Sequence, residues 1–171
     1  SQGMRILGAS PTITGCTIKN FGTDGIFLSG SSSGVTVTNS EIYQDGTNYR
    51  TANGINLSAG WGASTLTVSG SVIRDCNVGL RTEGNQTLNM SSCELKGNWD
   101  SDFYIYAYSG QRLLGSIHYC NIYNTGGPGS YGIRCVSSGS ASSGLTIDAR
   151  NNWWRYPDST TIENSFVWDY K

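Results

Sequence analysis

The segment Val68-Ser69-Gly70-Ser71-Val72-Ile73 is one copy of a short pattern that occurs six times along the chain. The pattern is an apolar residue, two variable residues, a small residue, one variable residue and a second apolar residue. The other copies begin at Ile13, Val37, Met90, Ile117 and Ile147, and the last of these is degenerate. Successive copies start 24, 31, 22, 27 and 30 residues apart. Self-similarity at this spacing predicts a repeat architecture.

A second pattern lies between the copies of the first and reads glycine, apolar, variable, apolar or small. Its copies are Gly3-Met4-Arg5-Ile6, Gly25-Ile26-Phe27-Leu28, Gly54-Ile55-Asn56-Leu57, Gly79-Leu80-Arg81-Thr82 and Gly132-Ile133-Arg134-Cys135. Phe103-Tyr104-Ile105 stands at the same place in its repeat without the glycine. The two patterns always follow in the same order, so one copy of each makes up the repeating unit.

These units predict an all-β solenoid, a parallel β-helix of about six coils. Each segment alternates with period two over a few residues and is bounded by Gly, Ser and Asn, which favours strands over helices. A single unit cannot bury its apolar face alone, whereas stacked coils place each strand beside its copy one repeat later. A β-sandwich also has short strands at regular spacing, but it would not produce an ordered pair of motifs. Leucine-rich repeats fit less well, because no Leu-x-x-Leu-x-Leu motif is present.

Composition excludes several classes of protein. The chain has 171 residues with 23 glycines and only 13% charged residues, which is unlike a coiled coil or helical bundle. No apolar run approaches the roughly 20 residues of a membrane span, so we expect no membrane insertion. The net charge of −1 gives no long-range attraction to nucleic acid. Few charges together with many Ser, Thr, Asn and Gly residues are typical of secreted β-proteins.

The stretch Asp148-Ala149-Arg150-Asn151-Asn152-Trp153-Trp154 resembles the Asn-Trp-Trp-Gly motif that ends many secreted bacterial and archaeal β-helix proteins. Arg155 stands where that motif has glycine. From Gly3 to about Trp154 the chain resembles the right-handed parallel β-helix family, the pectate-lyase-like superfamily. The resemblance implies a secreted or cell-surface protein of prokaryotic origin. Because this superfamily includes lyases, hydrolases, epimerases, adhesins and non-catalytic modules, the fold does not choose the function.

The repeats also suggest a domain organisation. We expect β-helix coils over residues 1–154, beginning part-way round a coil, and a C-terminal capping segment over residues 155–171. An open end of a β-helix exposes unpaired strand edges. We therefore expect a fragment of a larger protein, or a subunit whose neighbour covers that end.

Three of the five cysteines, Cys16, Cys93 and Cys120, occupy the small-residue position of the first pattern, alternating with Ser40 and Ser71. We expect an inward stack of small side chains with buried free thiols. Cys93 and Cys120 lie in consecutive coils, so a disulfide between them is the alternative.

Acidic side chains are the candidates for metal binding and catalysis. Asp100 and Asp102 lie two residues apart in an expected loop, and with Asp75 they are a candidate cation site that would suit Ca²⁺. Otherwise we expect no cofactor. The superfamily's hydrolases carry Asn-Thr-Asp, Asp-Asp, Gly-His-Gly and Arg-Ile-Lys strings, and its epimerases carry Asp-Pro-His, none of which occurs here. His118, the only histidine, is expected to point outward from a strand without a catalytic role.

Two outward surfaces are candidates for saccharide binding. The residue after the second apolar position of the first pattern reads Lys19, Tyr43, Arg74, Lys96 and Tyr123, and stacking would align these side chains along one edge. Tyr104, Tyr106 and Tyr108 alternate along another strand. Aromatic rings stack on sugars, and Lys or Arg pairs with uronate carboxylates.

The sequence therefore favours a non-catalytic extracellular module, a scaffold with polysaccharide binding. Its expected partners are polysaccharide or neighbouring domains or subunits of the same protein. Two alternatives remain open: a fragment of a polysaccharide lyase or glycoside hydrolase, and a fibre- or filament-forming surface subunit.

Overall fold

The structure, a computed structural model, describes residues 1–46, 51–58, 62–108, 113–123, 130–137, 145–155 and 167–169. In these residues all regular elements are β-strands, numbered β1 to β19 in chain order, and they form three parallel sheets. The described segments include no helix long and apolar enough to cross a membrane.

Each turn of the chain gives one strand to each sheet. The first sheet has seven strands, β1 (Met4–Leu7), β4 (Asp24–Ser29), β7 (Asn53–Leu57), β10 (Val78–Glu83), β13 (Ser101–Ala107), β16 (Tyr131–Ser137) and β19 (Val167–Asp169). The second sheet has six, β2 (Thr12–Thr14), β5 (Ser33–Thr38), β8 (Ser64–Ser69), β11 (Gln86–Ser91), β14 (Leu113–His118) and β17 (Leu145–Asp148). The third sheet also has six, β3 (Thr17–Lys19), β6 (Glu41–Tyr43), β9 (Val72–Arg74), β12 (Glu94–Lys96), β15 (Asn121–Ile122) and β18 (Trp153–Trp154).

This architecture confirms the predicted right-handed parallel β-helix of about six coils. The first apolar positions of the first pattern stand side by side in the second sheet, from Ile13 through Val37, Val68 and Met90 to Ile117. The second apolar positions align in the third sheet, and the second pattern forms the first sheet. Their apolar side chains fill one continuous interior.

The degenerate sixth copy is displaced by two residues from its predicted register. Ile147 stands opposite Gly115 rather than Ile117. Trp153 and Trp154 pair with Asn121 and Ile122, so the copy in register is Ala149-Arg150-Asn151-Asn152-Trp153-Trp154. Asn152 takes the small-residue position, where its amide donates to the Ile117 and Ala149 carbonyls and its Oδ1 accepts from the Cys120 N–H. An asparagine can close the stack here because its amide supplies backbone partners.

The predicted inward stack of small side chains is present at the corner between the second and third sheets. Each member donates to the carbonyl two residues earlier, as Ser71 Oγ does to Ser69 at 2.9 Å and Cys120 Sγ to His118 at 3.3 Å. None of the five cysteines, all of which the structure describes, forms a disulfide; Cys76, Cys93 and Cys120 are buried, whereas Cys16 and Cys135 are half-buried. The stack thus gives the thiols a packing role.

We predict that the native protein reacts with a thiol reagent at Cys16 and Cys135 long before Cys76, Cys93 and Cys120. The thiolate is the reactive form, and burial raises the pKa of Cys76 to about 12. A hydrogen bond with Cys120 first, and burial second, also raise the pKa of Cys93, and burial shields Cys120 from the reagent. Time-resolved alkylation with peptide mass spectrometry measures the order. When the protein is unfolded without a reductant, we expect all five cysteines to be alkylated. Alkylation of only three would show that two of them form a disulfide.

The segment predicted to cap the C-terminus includes one described strand. β19 pairs in parallel with β16, matching Ile133 to Val167, and so extends the first sheet past residue 154. Residues 156–166, 170 and 171 of the predicted cap lie outside the described residues.

Candidate functional site

The column predicted from the first pattern lies on the outward side of the third sheet, and we call it the third-sheet ladder. Its members are Lys19, Tyr43, Arg74, Lys96 and Tyr123. Lys19 pairs with Tyr43, Tyr43 with Arg74, and Arg74 with Lys96. Tyr123 directly follows β15, and its N–H donates to the Leu95 carbonyl at 3.0 Å. The alignment follows from parallel, in-register stacking of strands whose side chains alternate between the two faces.

The cations of this ladder already have acidic partners in the chain. Lys19 Nζ lies 3.4 Å from Asp45, and Arg74 lies 2.9 Å from Glu41 and 2.6 Å from Asp75. Lys96 pairs with Glu94, and the hydrogen bond to that carboxylate raises the pKa of Lys96. The Arg74 guanidinium also covers the Tyr43 ring at 3.9 Å from its centroid. The ladder therefore offers a ligand little unpaired charge and a ring face that is already occupied.

A second ladder, on the outward side of the first sheet, was not predicted. It is formed by the residue between the two apolar positions of the second pattern. Its described side chains are Arg5, Phe27, Asn56, Arg81, Tyr104 and Arg134, in register. The signal was present in the sequence, because the variable position of Gly-apolar-variable-apolar holds arginine or an aromatic residue in five of these six strands.

Tyr104 is the fifth residue of this ladder and lies between two arginines on neighbouring coils. The guanidinium carbons of Arg81 and Arg134 lie 5.1 and 5.4 Å from its ring centroid. Arg81 pairs with Glu83 on its own strand, and Arg134 Nη1 lies 2.7 Å from Asp100 Oδ1. These acids fix the arginines beside the ring.

Two further tyrosines extend the surface along β13. Tyr106 and Tyr108 pack edge to face, with ring centroids 4.8 Å apart at 68°. Tyr108, just beyond the strand, is 39% exposed. The predicted alternation of Tyr104, Tyr106 and Tyr108 along one strand agrees with these positions. We call Arg81, Tyr104, Arg134, Tyr106 and Tyr108 the Tyr104 surface.

A buried carboxylate lies on the same sheet nearer the N-terminus. Asp24 is only 5% exposed, and its Oδ1 accepts from Asn53 Nδ2 and Asn56 Nδ2, each at 2.9 Å. Its Oδ2 accepts from Gln2 at 3.3 Å. Amide donors therefore satisfy this carboxylate. In turn, the carboxylate holds the side chains of Gln2, Asn53 and Asn56 in place.

The three acids of the predicted cation site do not converge. Asp102 lies in strand β13 rather than in a loop, and it is fully buried with Oδ1 accepting from Asn98 Nδ2 at 2.7 Å. Asp75 pairs with Arg74, and Asp100 pairs with Arg134. No cluster of three or more His, Cys, Asp or Glu side chains suited to a metal ion occurs in the described segments. The prediction placed these residues by sequence spacing alone, whereas strand alternation and arginine partners separate them.

His118 points outward from β14, as predicted, and has an acidic neighbour. Its Nε2 lies 3.2 Å from Asp148 Oδ2 on the next coil. Arg150 donates to both oxygens of Asp148, from Nε at 2.8 Å and from Nη2 at 2.6 Å. Hydrogen bonds from Arg150 first, and from His118, lower the pKa of Asp148. The Arg150–Asp148 ion pair dominates this cluster, and His118 lies beside it.

Comparison with known proteins agrees with the β-helix fold described above. The family model described as the right-handed β-helix region matches residues 2–165. Searches of curated proteins and of solved structures give no match. The matched range spans the three sheets from β1 to β18. The chain therefore belongs to the right-handed β-helix family.

Proposed function

We propose that this chain is a non-catalytic extracellular β-helix module, a rigid scaffold that binds acidic polysaccharide through the Tyr104 surface. The observation behind the proposal is the in-register column Arg81–Tyr104–Arg134, in which an aromatic ring lies between two guanidinium groups on successive coils. A chain of sugars laid along the helix axis would meet a ring and a cation on consecutive coils.

The chemistry of the surface suits such a ligand. The apolar face of a sugar ring packs on an aromatic ring, and a planar guanidinium binds a carboxylate through two hydrogen bonds. Tyr106 and Tyr108 lie beside Tyr104 and widen the area for a second sugar ring. Arg5, exposed at the other end of the column, contacts Phe27 at 5.8 Å and forms no ion pair with another described residue. Arg5 therefore adds an unpaired positive charge for an anionic chain.

The third-sheet ladder is the weaker candidate for the same ligand. The arginines of both surfaces have acidic partners, but Arg74 lies 3.9 Å from the Tyr43 ring centroid, closer than Arg81 or Arg134 lies to Tyr104. A ligand there would have to displace Arg74 before it could stack.

We predict that Tyr104→Ala weakens binding of polygalacturonate or alginate by about 10-fold, whereas Tyr43→Ala leaves it unchanged. Both changes remove a strand tyrosine next to an arginine, so the pair is matched for stability effects. Affinity electrophoresis through gels containing each polysaccharide measures the retardation. Binding should also weaken as salt is raised, because salt screens the attraction between the half-buried arginines and the carboxylates of the ligand.

The proposal fails if neither polysaccharide retards the native protein, or if the Tyr43 variant loses as much binding as the Tyr104 variant. Incubation of pectin or alginate with the native protein and Ca²⁺ tests the enzymatic alternative. Release of unsaturated or reducing ends would replace the scaffold by a lyase or hydrolase.

A further inference from the structure

Two cysteines occupy neighbouring places in the stack of small side chains at the corner between the second and third sheets. Cys93 and Cys120 directly precede Glu94 and Asn121, which pair across the third sheet, and the Asn121 N–H donates to the Cys93 carbonyl at 2.8 Å. Among the five cysteines, all of which lie in the described segments, these two alone hold the same position on successive coils. One inter-coil spacing therefore separates the two thiols.

The two thiols have the same orientation inside the molecule. Cys93 Sγ donates to the Ser91 carbonyl at 3.2 Å, and Cys120 Sγ donates to the His118 carbonyl at 3.3 Å. Cys93 is 3% exposed and Cys120 is fully buried. Because successive coils repeat the same backbone path, one sulfur atom lies beside the other in the interior.

Oxygen-containing side chains satisfy the same position elsewhere in the stack. Ser71 Oγ accepts from the Ser40 N–H at 3.1 Å, and Asn152 Oδ1 accepts from the Cys120 N–H at 2.9 Å. Hydrogen bonding at the corner does not require sulfur, since serine meets the need in two coils. What two adjacent cysteines add is the ability to form a covalent bond.

The contact between the thiols makes them chemically unequal. A hydrogen bond from the Cys93 thiol lowers the pKa of Cys120 more than burial raises it. The same contact raises the pKa of Cys93. Since the thiolate is the nucleophile in thiol oxidation, Cys120 is the attacking sulfur and Cys93 is the thiol that resolves the intermediate.

We propose that Cys93 and Cys120 form an oxidation site at which a hydroperoxide produces a reversible disulfide between two coils. With hydrogen peroxide, the Cys120 thiolate attacks one oxygen, the O–O bond breaks, and the departing hydroxide takes up the proton that Cys120 released. Cys120 is then a sulfenic acid. The Cys93 sulfur attacks the sulfenic sulfur, the S–O bond breaks, and the Cys93 proton leaves with the hydroxyl group as water. Two thiols and one peroxide give one disulfide and two waters, so two electrons pass from the sulfurs to the peroxide.

The position of Cys120 in the third sheet gives a small oxidant access to it. Cys120 directly precedes β15, and β18, the strand on the other side of β15 from β12, is an edge strand of that sheet in the described residues. Local opening at an edge costs less free energy than global unfolding. Hydrogen peroxide is close to water in size, whereas alkylating reagents are larger. Peroxide therefore reaches Cys120 in the folded protein, although slowly.

The spacing of the coils makes the disulfide easy to reduce. Parallel strands lie about 4.8 Å apart, whereas the Cβ atoms of a disulfide lie roughly 3.5–4.5 Å apart. The bond must draw the two corners together, and a disulfide under such strain is more readily reduced. The loop that it closes contains β12, β13 and β14, which is one complete coil. This inference does not rest on the ligand proposed for the Tyr104 surface.

The test exposes the folded, reduced full chain to hydrogen peroxide, blocks the remaining thiols with N-ethylmaleimide in acidic denaturant, and maps the peptides by mass spectrometry. We expect a peptide in which Cys93 and Cys120 are linked. Dithiothreitol added to the folded protein should restore both thiols. The oxidised protein should melt about 4 °C or more above the reduced protein, because the bond closes a loop in the unfolded chain.

Cys93→Ser and Cys16→Ser are matched variants, because each places in the stack the residue that Ser40 and Ser71 already supply. After peroxide treatment, Cys93→Ser should give neither a linked peptide nor a rise in melting temperature, whereas Cys16→Ser should behave like the native protein. Absence of the linked peptide from the native protein overturns the proposal. It is also overturned if Cys93→Ser gains as much melting temperature as the native protein, or if dithiothreitol leaves the bond intact in the folded protein.

Discussion

Gly54→Ala is expected to destabilise the fold by about 3 kcal/mol or more, because the added methyl group has no space between two coils. A Cβ at this position would lie 2.5 Å from the Gly79 carbonyl oxygen of the next coil and 2.5 Å from Ile73 Cγ2. The first contact is with backbone that pairs with β7, so the clash cannot be relieved by a side-chain rotation. Either the spacing between the coils increases or strand pairing is lost. Urea-induced unfolding followed by circular dichroism measures the difference in free energy of unfolding.

Gly15→Ala is the matched control for this prediction. Gly15 has φ of +63° and no heavy atom within 4 Å of the position of a Cβ. Its replacement therefore costs only the strain of the left-handed backbone, about 1–2 kcal/mol. If Gly54→Ala unfolds no more easily than Gly15→Ala, the glycines of the second pattern do not mark the close approach of coils that the structure describes.

The columns of the β-helix were predictable because a stacked coil demands the same inward side chain at the same place in every turn. Ile13 and Ile42 could be assigned to different sheets from the pattern alone, since one apolar residue precedes the corner and the other follows it. The glycine of the second pattern could also be read from the sequence. The structure explains why glycine is needed there, because the backbone of the next coil leaves no space for a Cβ. The repeat pattern does not predict the register of the last coil correctly, because the residue types in that coil differ from those in the others. There Asn152 replaces a small residue, and the sixth copy was consequently placed two residues out of register.

Outward positions were harder to predict, because nothing in a solenoid forces them to repeat. The third-sheet ladder was found by comparing the same position in successive copies, and its alignment was confirmed. Two of its ion pairs could not be anticipated, since Asp45 comes from a turn of variable length and Asp75 from a corner. The Arg81–Tyr104–Arg134 column was missed although the same comparison, applied to the second pattern, reveals it. Asp102 was misplaced because a carboxylate is seldom expected inside a core, yet it occupies the place that glycine holds in the neighbouring coils.

Asn98→Leu is expected to destabilise the protein by about 3–5 kcal/mol, because it removes the hydrogen-bonding partner of a buried carboxylate. Asn98 is fully buried, and its Nδ2 donates to Asp102 Oδ1 at 2.7 Å. Its Oδ1 accepts from the Cys76 N–H at 3.1 Å. Leucine has a similar shape but no polar atom, so the Cys76 N–H, the Ile73 carbonyl and a carboxylate oxygen of Asp102 would each lose a partner inside the core. Asn89→Leu, at a half-buried outward position whose Oδ1 accepts from Ser116 at 3.4 Å, should cost much less.

A double-mutant cycle with Asp102→Gly assigns this loss to the carboxylate. Glycine is the residue of the second pattern at this position in Gly25, Gly54 and Gly79, so its backbone suits the coil. With the carboxylate absent, Asn98→Leu should cost at least 1 kcal/mol less than it does in the native sequence, since the Cys76 N–H and the Ile73 carbonyl still lose a partner but no carboxylate does. Unfolding free energies of the four proteins give the coupling between the two sites. Additive effects would show that Asn98 stabilises the interior through the backbone alone, and that the buried Asp102 is held by its other contacts.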